Sequence, residues 1–376
     1  MTDTTQNPTP EELRYFIALA LAPKIGPGIF KAIFAYAGSP RNFFILPKGK
    51  VLKTPKVGSK LLELRNQEQQ LLRKADELIQ TCEKSGYRIF TSLDSDFPGR
   101  LKVQEDSPVL FFAKGSGNLT FERSVGIVGT RSATSYGKTA TRKIIEDLAI
   151  YQPAIVSGLA YGIDIEAHRT ALAVGLPTIA VMGSPINQIY PAIHRKTAET
   201  ILESGLVMSE YAPGSKMTPG NFPARNRIIA SLSDALIVVE AAEKGGALIT
   251  AEIAYSYDKD VFAVPGNLQS PFSEGCNQLI KKMKANIYTG PGDIAEALFW
   301  AKPGEQALKS PKLDLSKYEG EESVILNYLI EKGESEIDLM SYATSIPLGL
   351  LSSKLLALEF EGILKSLPGK KYKLLG

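Results

Sequence analysis

Short apolar segments, separated by stretches with the spacing of amphipathic helices, follow one another between Ser124 and about Leu298. Such alternation predicts parallel strands joined by crossover helices, because strands covered on both faces are apolar throughout. The predicted strands are Val125–Gly129, Ala154–Ser157, Thr178–Met182, Val207–Ser209, Ala235–Glu240 and Val261–Val264. The pattern therefore predicts an α/β fold with a doubly wound, mostly parallel sheet.

The segment before this alternation has a helical pattern. Glu11–Ala22 and the stretch from Ile29 onward have helical spacing on either side of the turn Pro23–Gly28. This predicts an N-terminal helical domain of helix-hairpin-helix or SAM-like type over residues 1–85. Such a hairpin can hold a DNA phosphate on its exposed N–H groups, but the same sequence also forms a plain helical corner. Two further short strands are predicted at Tyr87–Thr91 and Val109–Ala113.

The segment after the alternation begins with residues 301–316, which are rich in proline, glycine, lysine and serine and predict a linker. Beyond it, three helical patterns precede a short hairpin. They are Glu321–Glu331, Ile337–Tyr342 and Leu348–Glu361, and the hairpin runs through Gly362–Leu364 and Lys370–Leu374 with Gly369 at its turn. This order predicts a winged-helix domain over residues 317–376, a fold that usually contacts nucleic acid or a protein partner. The central domain is then 86–300.

Glycine stands at nearly every predicted strand end. Ligands of open α/β sheets bind beyond the carboxyl ends of the strands, where the strand order reverses. Glycine lets the backbone approach a ligand closely or adopt positive φ, so the series predicts a wide groove lined by peptide N–H groups. The glycines and adjoining polar residues at these ends are Gly129, Ser132, Thr134, Gly158, Gly162, Asp164, Gly245, Gly246, Gly266 and Asn267.

The segment Ser124–Gly137 places a strand, a glycine turn with Arg131 and a helix start in direct succession. Because N–H groups at a helix N-terminus carry partial positive charge, this order predicts a cradle for a phosphate. The spacing matches neither the G-x-G-x-x-G of dinucleotide-binding folds nor the G-x-x-x-x-G-K-[ST] of the P-loop. A phosphate-bearing ligand is therefore expected, without a standard nucleotide cofactor.

The segment Phe222–Arg227 adds an aromatic ring, Arg225, Asn226 and Arg227. The ring offers a face on which a nucleic acid base can stack, and the arginines can bind phosphates. In the alternative interpretation, Phe222 packs under the sheet edge and the arginines pair with Glu210 or Glu240. Together with Arg131 and the basic run at residues 194–196, the segment favours a groove that binds a nucleic acid strand.

Composition limits the other possibilities. The 376 residues are 44% hydrophobic and 22% charged with a net charge of +3, so a polyanion must meet a local basic patch. No secretory signal and no apolar run of about 18 residues is present, so a cytoplasmic protein without a membrane partner is expected. Two cysteines and two histidines are too few for the usual zinc sites or a disulfide framework.

Catalytic residues are not evident. Ser157, Asp164 and His168 suggest a triad, but Asp164 and His168 lie four residues apart on one predicted helix, where a capping Asp and a helix-face His are ordinary. We therefore expect a binding protein rather than an enzyme, without cofactor or metal.

Several stretches closely resemble the DNA-processing protein A family (DprA, also called Smf). They are VGTRSATSYG, SGLAYGIDIEAHRTAL, PTIAVMG, IYP, FPARNRIIASLSDALIVVEAAEKGGALITAEIA, and VFAVPGN followed by SEGCNQLI, and they cover about Ser124–Lys282 in one order. The resemblance implies an extended Rossmann-like domain that binds single-stranded DNA. It further implies a homodimer that delivers this DNA to the RecA recombinase in natural transformation.

The resemblance also implies binding roles for Arg131, for basic positions after Tyr190-Pro191, and for Phe222–Arg227. Family members commonly carry a lysine directly after that Tyr-Pro, whereas this sequence has Ala192. The nearest basic residues are Arg195 and Lys196, which become the candidates for the second phosphate contact.

Two other classes of protein stay open. Nucleoside-monophosphate phosphoribohydrolases have a related fold and a P-G-G-x-G-T-x-x-E motif, of which residues 244–252 keep two glycines and the glutamate. Leu248 and Ile249 stand where that motif needs glycine and threonine, so its tight phosphate turn is absent. In the third class, a protein-interaction scaffold, the winged helix and the dimer surface would carry the function.

Overall fold

The computed structural model describes residues 8–301, 317–361, 363–367 and 370–374. The chain divides into two compact units, one ending at Phe299 and one beginning at Trp300. The predicted linker, apart from residue 301, lies outside the described residues, as do Gly362 and Gly369 of the predicted hairpin. Within the described ranges, no helix has both the length and the apolar character needed to cross a bilayer.

The first unit is built around a nine-stranded sheet. Its strands are β1 (Arg88–Thr91), β2 (Leu110–Lys114), β3 (Ser124–Val128), β4 (Ala154–Ser157), β5 (Thr178–Met182), β6 (Leu206–Ser209), β7 (Ala235–Val238), β8 (Asp260–Ala263) and β9 (Asn286–Ile287). They are ordered β1-β2-β6-β5-β4-β3-β7-β8-β9. The strands from β6 to β9 in this order are parallel, whereas β1 and β2 pair in antiparallel fashion at one edge. The prediction of a mostly parallel sheet is confirmed.

The strand order reverses beside β3. From β3 the chain moves through β4 and β5 to β6 on one side, and then returns to place β7, β8 and β9 on the other. Both faces of the sheet are covered, because alternate residues of β5 belong to different hydrophobic clusters. Ile179 and Val181 pack in one cluster, and Ala180 and Met182 in the other. This places a crevice between the carboxyl ends of β3 and β7.

Helices surround the sheet. They are α1 (Pro10–Ala20), α2 (Pro27–Ala37), α3 (Pro40–Ile45), α4 (Lys48–Val51), α5 (Ser59–Leu62), α6 (Glu68–Ser85), α7 (Gly99–Lys102), α8 (Ser135–Leu148), α9 (Ile163–Ala173), α10 (Arg195–Ser204), α11 (Asn221–Leu232), α12 (Gly246–Ser256), α13 (Glu274–Lys281) and α14 (Pro291–Ala297). The first begins at a capping box, in which Thr9 accepts from the Glu12 N–H and Glu12 accepts from the Thr9 N–H at 2.8 Å.

The helices α1 to α6 form the segment in which a separate N-terminal domain is predicted. Phe16 and Phe30 of this segment belong to the same hydrophobic cluster as Phe112 and Met182 of the sheet. The segment and the sheet thus share buried surface, and a domain boundary at residue 85 stays a prediction.

The second unit contains three helices and a three-stranded antiparallel sheet. They are α15 (Gly320–Lys332), β10 (Glu334–Glu336), α16 (Ile337–Thr344), α17 (Leu348–Phe360), β11 (Leu364–Leu367) and β12 (Lys371–Leu374), with the strands ordered β10-β12-β11. Leu329, Met340 and Leu355 bring the three helices together in one core. The three predicted helices are present, and β10 is an element that the sequence pattern did not predict.

Candidate functional site

The crevice between the carboxyl ends of β3 and β7 is a cavity of about 730 Å³, which we call the switch groove. The loop after β3, the loop after β4 and the starts of α11 and α12 all reach it. Of the predicted site residues, it brings together Gly129, Arg131, Asp164, Phe222, Arg225, Asn226, Gly245 and Gly246. Separate segments of the chain therefore meet at one site, as the series of glycines predicts.

Arg131 lies at the groove in a turn fixed by backbone contacts. The Thr130 N–H donates to the Glu240 carbonyl oxygen at 2.6 Å. Gly162, at φ 77°, packs so closely against the backbone of Thr130 and Arg131 that a Cβ there would overlap them. The Arg131 guanidinium is exposed, lies 6.0 Å from the centre of the Phe222 ring, and forms no ion pair within the described part of the chain. The turn thus fixes the backbone of Arg131, while its guanidinium stays exposed for a ligand.

The start of α8 differs from the predicted phosphate cradle. Glu240, a buried side chain from the end of β7, occupies this position: its Oε2 accepts from the Thr134 N–H at 2.9 Å and its Oε1 from the Thr134 hydroxyl at 2.6 Å. The Thr134 hydroxyl in turn accepts from the Gly137 N–H at 3.2 Å. A carboxylate of the protein thus takes the place expected for a phosphate, and Thr134 anchors the loop instead of facing a ligand.

Arg225 does not face solvent, which corrects the prediction that its guanidinium binds phosphate. It is 4% exposed and donates to the carbonyl oxygens of Gly158, at 2.7 Å, and of Val181. Gly158 leaves room for the guanidinium, since a Cβ at this position would collide with it. Arg225 therefore joins the ends of β4 and β5 and forms part of the groove floor.

A buried carboxyl group lies near this cation. Burial raises the pKa of Asp164, and the positive charge of Arg225 opposes that rise. Burial also lowers the pKa of Arg225 to about 10, so this side chain stays protonated at neutral pH. The groove floor thus places a buried carboxyl group within electrostatic reach of the protonated Arg225 guanidinium.

Arg227 is also committed to a protein partner. Its Nη2 lies 2.7 Å from both carboxylate oxygens of Glu210, and both side chains are mostly buried. The alternative interpretation of the sequence, an ion pair with Glu210, is therefore correct for Arg227. Asn226 donates to the Gly246 carbonyl oxygen at 3.3 Å and links the starts of α11 and α12.

Phe222 lies at the groove surface, and its role as a stacking ring stays a prediction. It lines the switch groove, half-buried, and packs over Gly183, where a Cβ would come within 2.8 Å of the ring. The ring of Tyr190 lies beside it, with centroids 5.4 Å apart. Tyr190 is 44% exposed and was not predicted as a site residue, although it stands in the IYP stretch. Lys244 is a second groove residue that the prediction missed.

Other predicted residues lie outside the groove lining. Arg195 and Lys196 are exposed at the start of α10. The backbone of Gly266 is bound by the side chain of Asn277, whereas the Asn267 side chain accepts from the Gln269 N–H. Ser132 is exposed beside Arg131, and its N–H donates to the Thr130 hydroxyl at 3.2 Å. The turn at Gly266 and Asn267 is thus bonded to itself and to α13.

Ser157, Asp164 and His168 do not form a triad. The Ser157 hydroxyl donates to the Ile127 carbonyl oxygen at 2.6 Å. His168 Nδ1 lies 2.7 Å from the Thr178 hydroxyl, and burial lowers the pKa of this histidine to about 3. The side chains of Ser157 and His168 thus bond to other core groups and not to Asp164, as the interpretation without a triad expects.

The family model for "DNA recombination-mediator protein A" matches residues 88–299, which is more than half of the chain. The chain belongs to this family. Protein Smf from Synechocystis is 34% identical over 337 residues, covering 79% of this chain and 82% of that protein. DNA processing protein DprA from Streptococcus pneumoniae is 40% identical over 210 residues, covering 56% of this chain and 74% of its own length.

Solved structures of the family agree with this membership. The crystal structure of DprA from Streptococcus pneumoniae has a TM-score of 0.65 at 32% identity and covers 75% of this chain and 97% of its own. DNA processing protein A from Helicobacter pylori, described for its single-stranded DNA binding mode, has a TM-score of 0.51 at 31% identity. It covers 56% of this chain and 95% of its own. The resemblance noted in the sequence is confirmed, and the expectation of a protein that is not an enzyme agrees with a family of recombination mediators.

Proposed function

We propose that the protein binds single-stranded DNA without sequence preference in the switch groove. The observation that carries this proposal is the pairing of one available guanidinium, Arg131, with the ring of Phe222 at 6.0 Å. A cation can hold a phosphate while the ring takes the adjoining base, and neither contact distinguishes one base from another. The DNA-binding mode described for the relative from Helicobacter pylori supports the same function.

The start of α12 at the groove supports an anionic ligand. Among the described residues, no side chain caps its N-terminus at Gly245. Lys244 also lines the groove and adds a positive charge next to Gly245. Partial and full positive charges therefore face the place where we propose that the backbone of the strand runs. Arg195 and Lys196, exposed outside the groove lining, would extend this path toward α10.

The larger assembly is part of the same proposal. We propose that a homodimer loads RecA onto the bound strand, in the cytoplasm, during DNA processing in transformation. In this scheme α1 to α6 act as a helical accessory domain and residues 317–376 as a winged-helix domain. Light scattering would measure the dimer, and the rate of RecA filament formation on oligo-dT with and without the protein would measure loading.

No observation favours the two other classes. In a phosphoribohydrolase the glutamate of the motif would face the substrate, but Glu252 pairs with Lys284 at 2.6 Å outside the switch groove. A scaffold without DNA binding leaves the exposed Arg131 and the ring beside it without a role. Incubation with AMP should therefore release no adenine.

Replacing Arg131 with alanine should weaken oligo-dT binding about tenfold or more, because a charge-assisted bond contributes about 1.5–3 kcal/mol. The slope of log affinity against log salt should also become shallower, by about 0.7 for each phosphate of a single strand that the protein no longer neutralises. Fluorescence anisotropy between low and moderate salt measures both quantities.

Arg142→Ala is the matched control for this variant. Arg142 is an exposed arginine on α8 that pairs with Glu166 at 2.7 Å, outside the groove lining. Its removal changes the net charge of the protein by the same amount without touching the switch groove. Equal salt slopes for the two variants, or an unchanged affinity for Arg131→Ala, would remove the groove from the proposal.

A further inference from the structure

A second aromatic pair adjoins the switch groove along the chain, because Tyr161 directly follows the lining residue Ala160 and His194 lies four residues after the lining residue Tyr190. The Tyr161 ring packs edge-on against the His194 ring with centroids 5.1 Å apart, at an angle of 67°. His194 is buried, and its Nδ1 bonds the Leu159 carbonyl oxygen at 2.8 Å. This hydrogen bond holds the His194 ring in place, and the His194 ring packs against the Tyr161 ring.

The position of Tyr161 is defined by its two neighbours in the chain. Ala160 lines the switch groove, and Gly162 packs directly against the backbone of Thr130 and Arg131. Tyr161 therefore stands between a wall of the groove and the turn that carries its available cation. Tyr161 is 47% exposed, and its hydroxyl has no hydrogen bond within the described ranges of the chain.

One short segment connects the two aromatic pairs. Tyr190 contacts Phe222, and His194, four residues later, contacts Tyr161. Ile193, between them in the sequence, is 72% exposed, so an apolar side chain without cover also lies on this segment. Residues 190–194 thus contribute to two separate ring pairs, and each pair includes a tyrosine that is nearly half exposed.

We propose that Tyr161 is a second base-stacking position of the site, so that the strand places one base on the pair Phe222–Tyr190 and another on Tyr161. This inference rests on the proposed function and extends it to a residue outside the groove lining. Stacking accepts any base, because every base has a π face, and it uses the exposed ring of Tyr161 without needing its hydroxyl.

The test compares Tyr161→Ala, Tyr161→Phe and the unchanged full-length protein on two probes. One probe is an oligo-dT, and the other is a strand of equal length with abasic sites, which keeps the phosphates but lacks bases. We expect Tyr161→Ala to lose about 5- to 150-fold in affinity for oligo-dT and nothing for the abasic strand. Tyr161→Phe should bind both probes as the unchanged protein does.

Tyr255→Ala is the matched control, since Tyr255 is 50% exposed on α12 and lies outside the groove lining. An unchanged oligo-dT affinity for Tyr161→Ala, or an equal loss on both probes, overturns the stacking role. If Arg131→Ala still weakens oligo-dT binding in that case, only the stacking role of Tyr161 fails. If the unchanged protein does not bind oligo-dT, the proposed function fails with it.

Cross-linking supplies a measurement that does not depend on the folding of a variant. An oligonucleotide with 5-iodouracil, irradiated in complex with the unchanged protein, should cross-link to the peptide that contains Tyr161. A cross-link to Phe222 or Tyr190 without any at Tyr161 overturns the second position.

Discussion

Replacing Arg225 with methionine should lower the free energy of unfolding by about 3–5 kcal/mol, the cost of leaving buried polar and charged partners without a buried cation. Methionine is apolar and cannot donate to the carbonyl oxygens of Gly158 and Val181. It also removes the positive charge that opposes the raised pKa of Asp164. Urea unfolding of the full chain, followed by circular dichroism, measures the change.

The loss of stability in Arg225→Met should also depend on pH. In the variant, burial still raises the pKa of Asp164 and the Arg225 charge that opposed this rise is gone, so the pKa in the folded state lies further above the ordinary value of 3.8. A carboxyl group whose pKa is raised by folding stabilises the fold below its unfolded value and loses this contribution as pH rises toward the folded value. The variant should therefore lose more stability at pH 8 than at pH 5.

Two further variants control this measurement. Asp164→Asn in the Arg225→Met background removes the buried ionisable carboxyl group, so it should recover part of the loss and abolish its extra pH dependence. Arg142→Met breaks an ion pair whose arginine is 47% exposed, and it should change the free energy of unfolding by less than about 1 kcal/mol. A loss for Arg225→Met no larger than that for Arg142→Met would contradict the role of Arg225 as a buried support.

Replacing Gly162 with alanine should have the second large effect, because it displaces Arg131. The added Cβ would overlap the Thr130 carbonyl oxygen and the Arg131 backbone, which cannot move independently of the turn. Gly162 has ψ −118° with φ 77°, a backbone conformation outside the left-handed helical region that costs another residue about 1–3 kcal/mol, and overpacking adds about 1–3 kcal/mol. We expect the free energy of unfolding to fall by their sum and oligo-dT affinity to fall about tenfold, as for Arg131→Ala.

Gly175→Ala is the control, because it places an alanine at positive φ where the added Cβ meets no other atom. Gly175 has φ 76°, close to the 77° of Gly162, but a Cβ there would have no neighbour within 4 Å. Its replacement should lower the free energy of unfolding by about 1–2 kcal/mol and leave oligo-dT affinity unchanged. Equal reductions of affinity for the two glycine variants would show that displacement of Arg131 is not the cause.

The strands could be predicted closely because each is an isolated apolar run between glycine or polar residues. The predicted segments Ala154–Ser157 and Thr178–Met182 have the observed bounds of β4 and β5. The exceptions are β9 and β10, since both residues of Asn286–Ile287 and two of the three in Glu334–Glu336 are exposed. Apolar periodicity reports burial, and an exposed edge strand lacks that signal.

The site could be predicted only in part, because the sequence does not show which charged groups become partners. Glu240 reaches Thr134 since β7 lies beside β3, an adjacency created by the reversal of strand order and not by sequence distance. Arg225 and Arg227 appear equivalent in the sequence, yet one faces the core and the other pairs with Glu210. Tyr190 and Tyr161 come from separate loops, and only folding brings each ring beside its aromatic partner.

Crystals of the full-length protein with a short oligo-dT strand test most directly whether DNA lies in the switch groove. We expect a phosphate within hydrogen-bond distance of the Arg131 guanidinium and a base stacked on Phe222. A strand bound elsewhere, such as on the lysine-rich segment 48–60, with the switch groove empty, would contradict the proposed function.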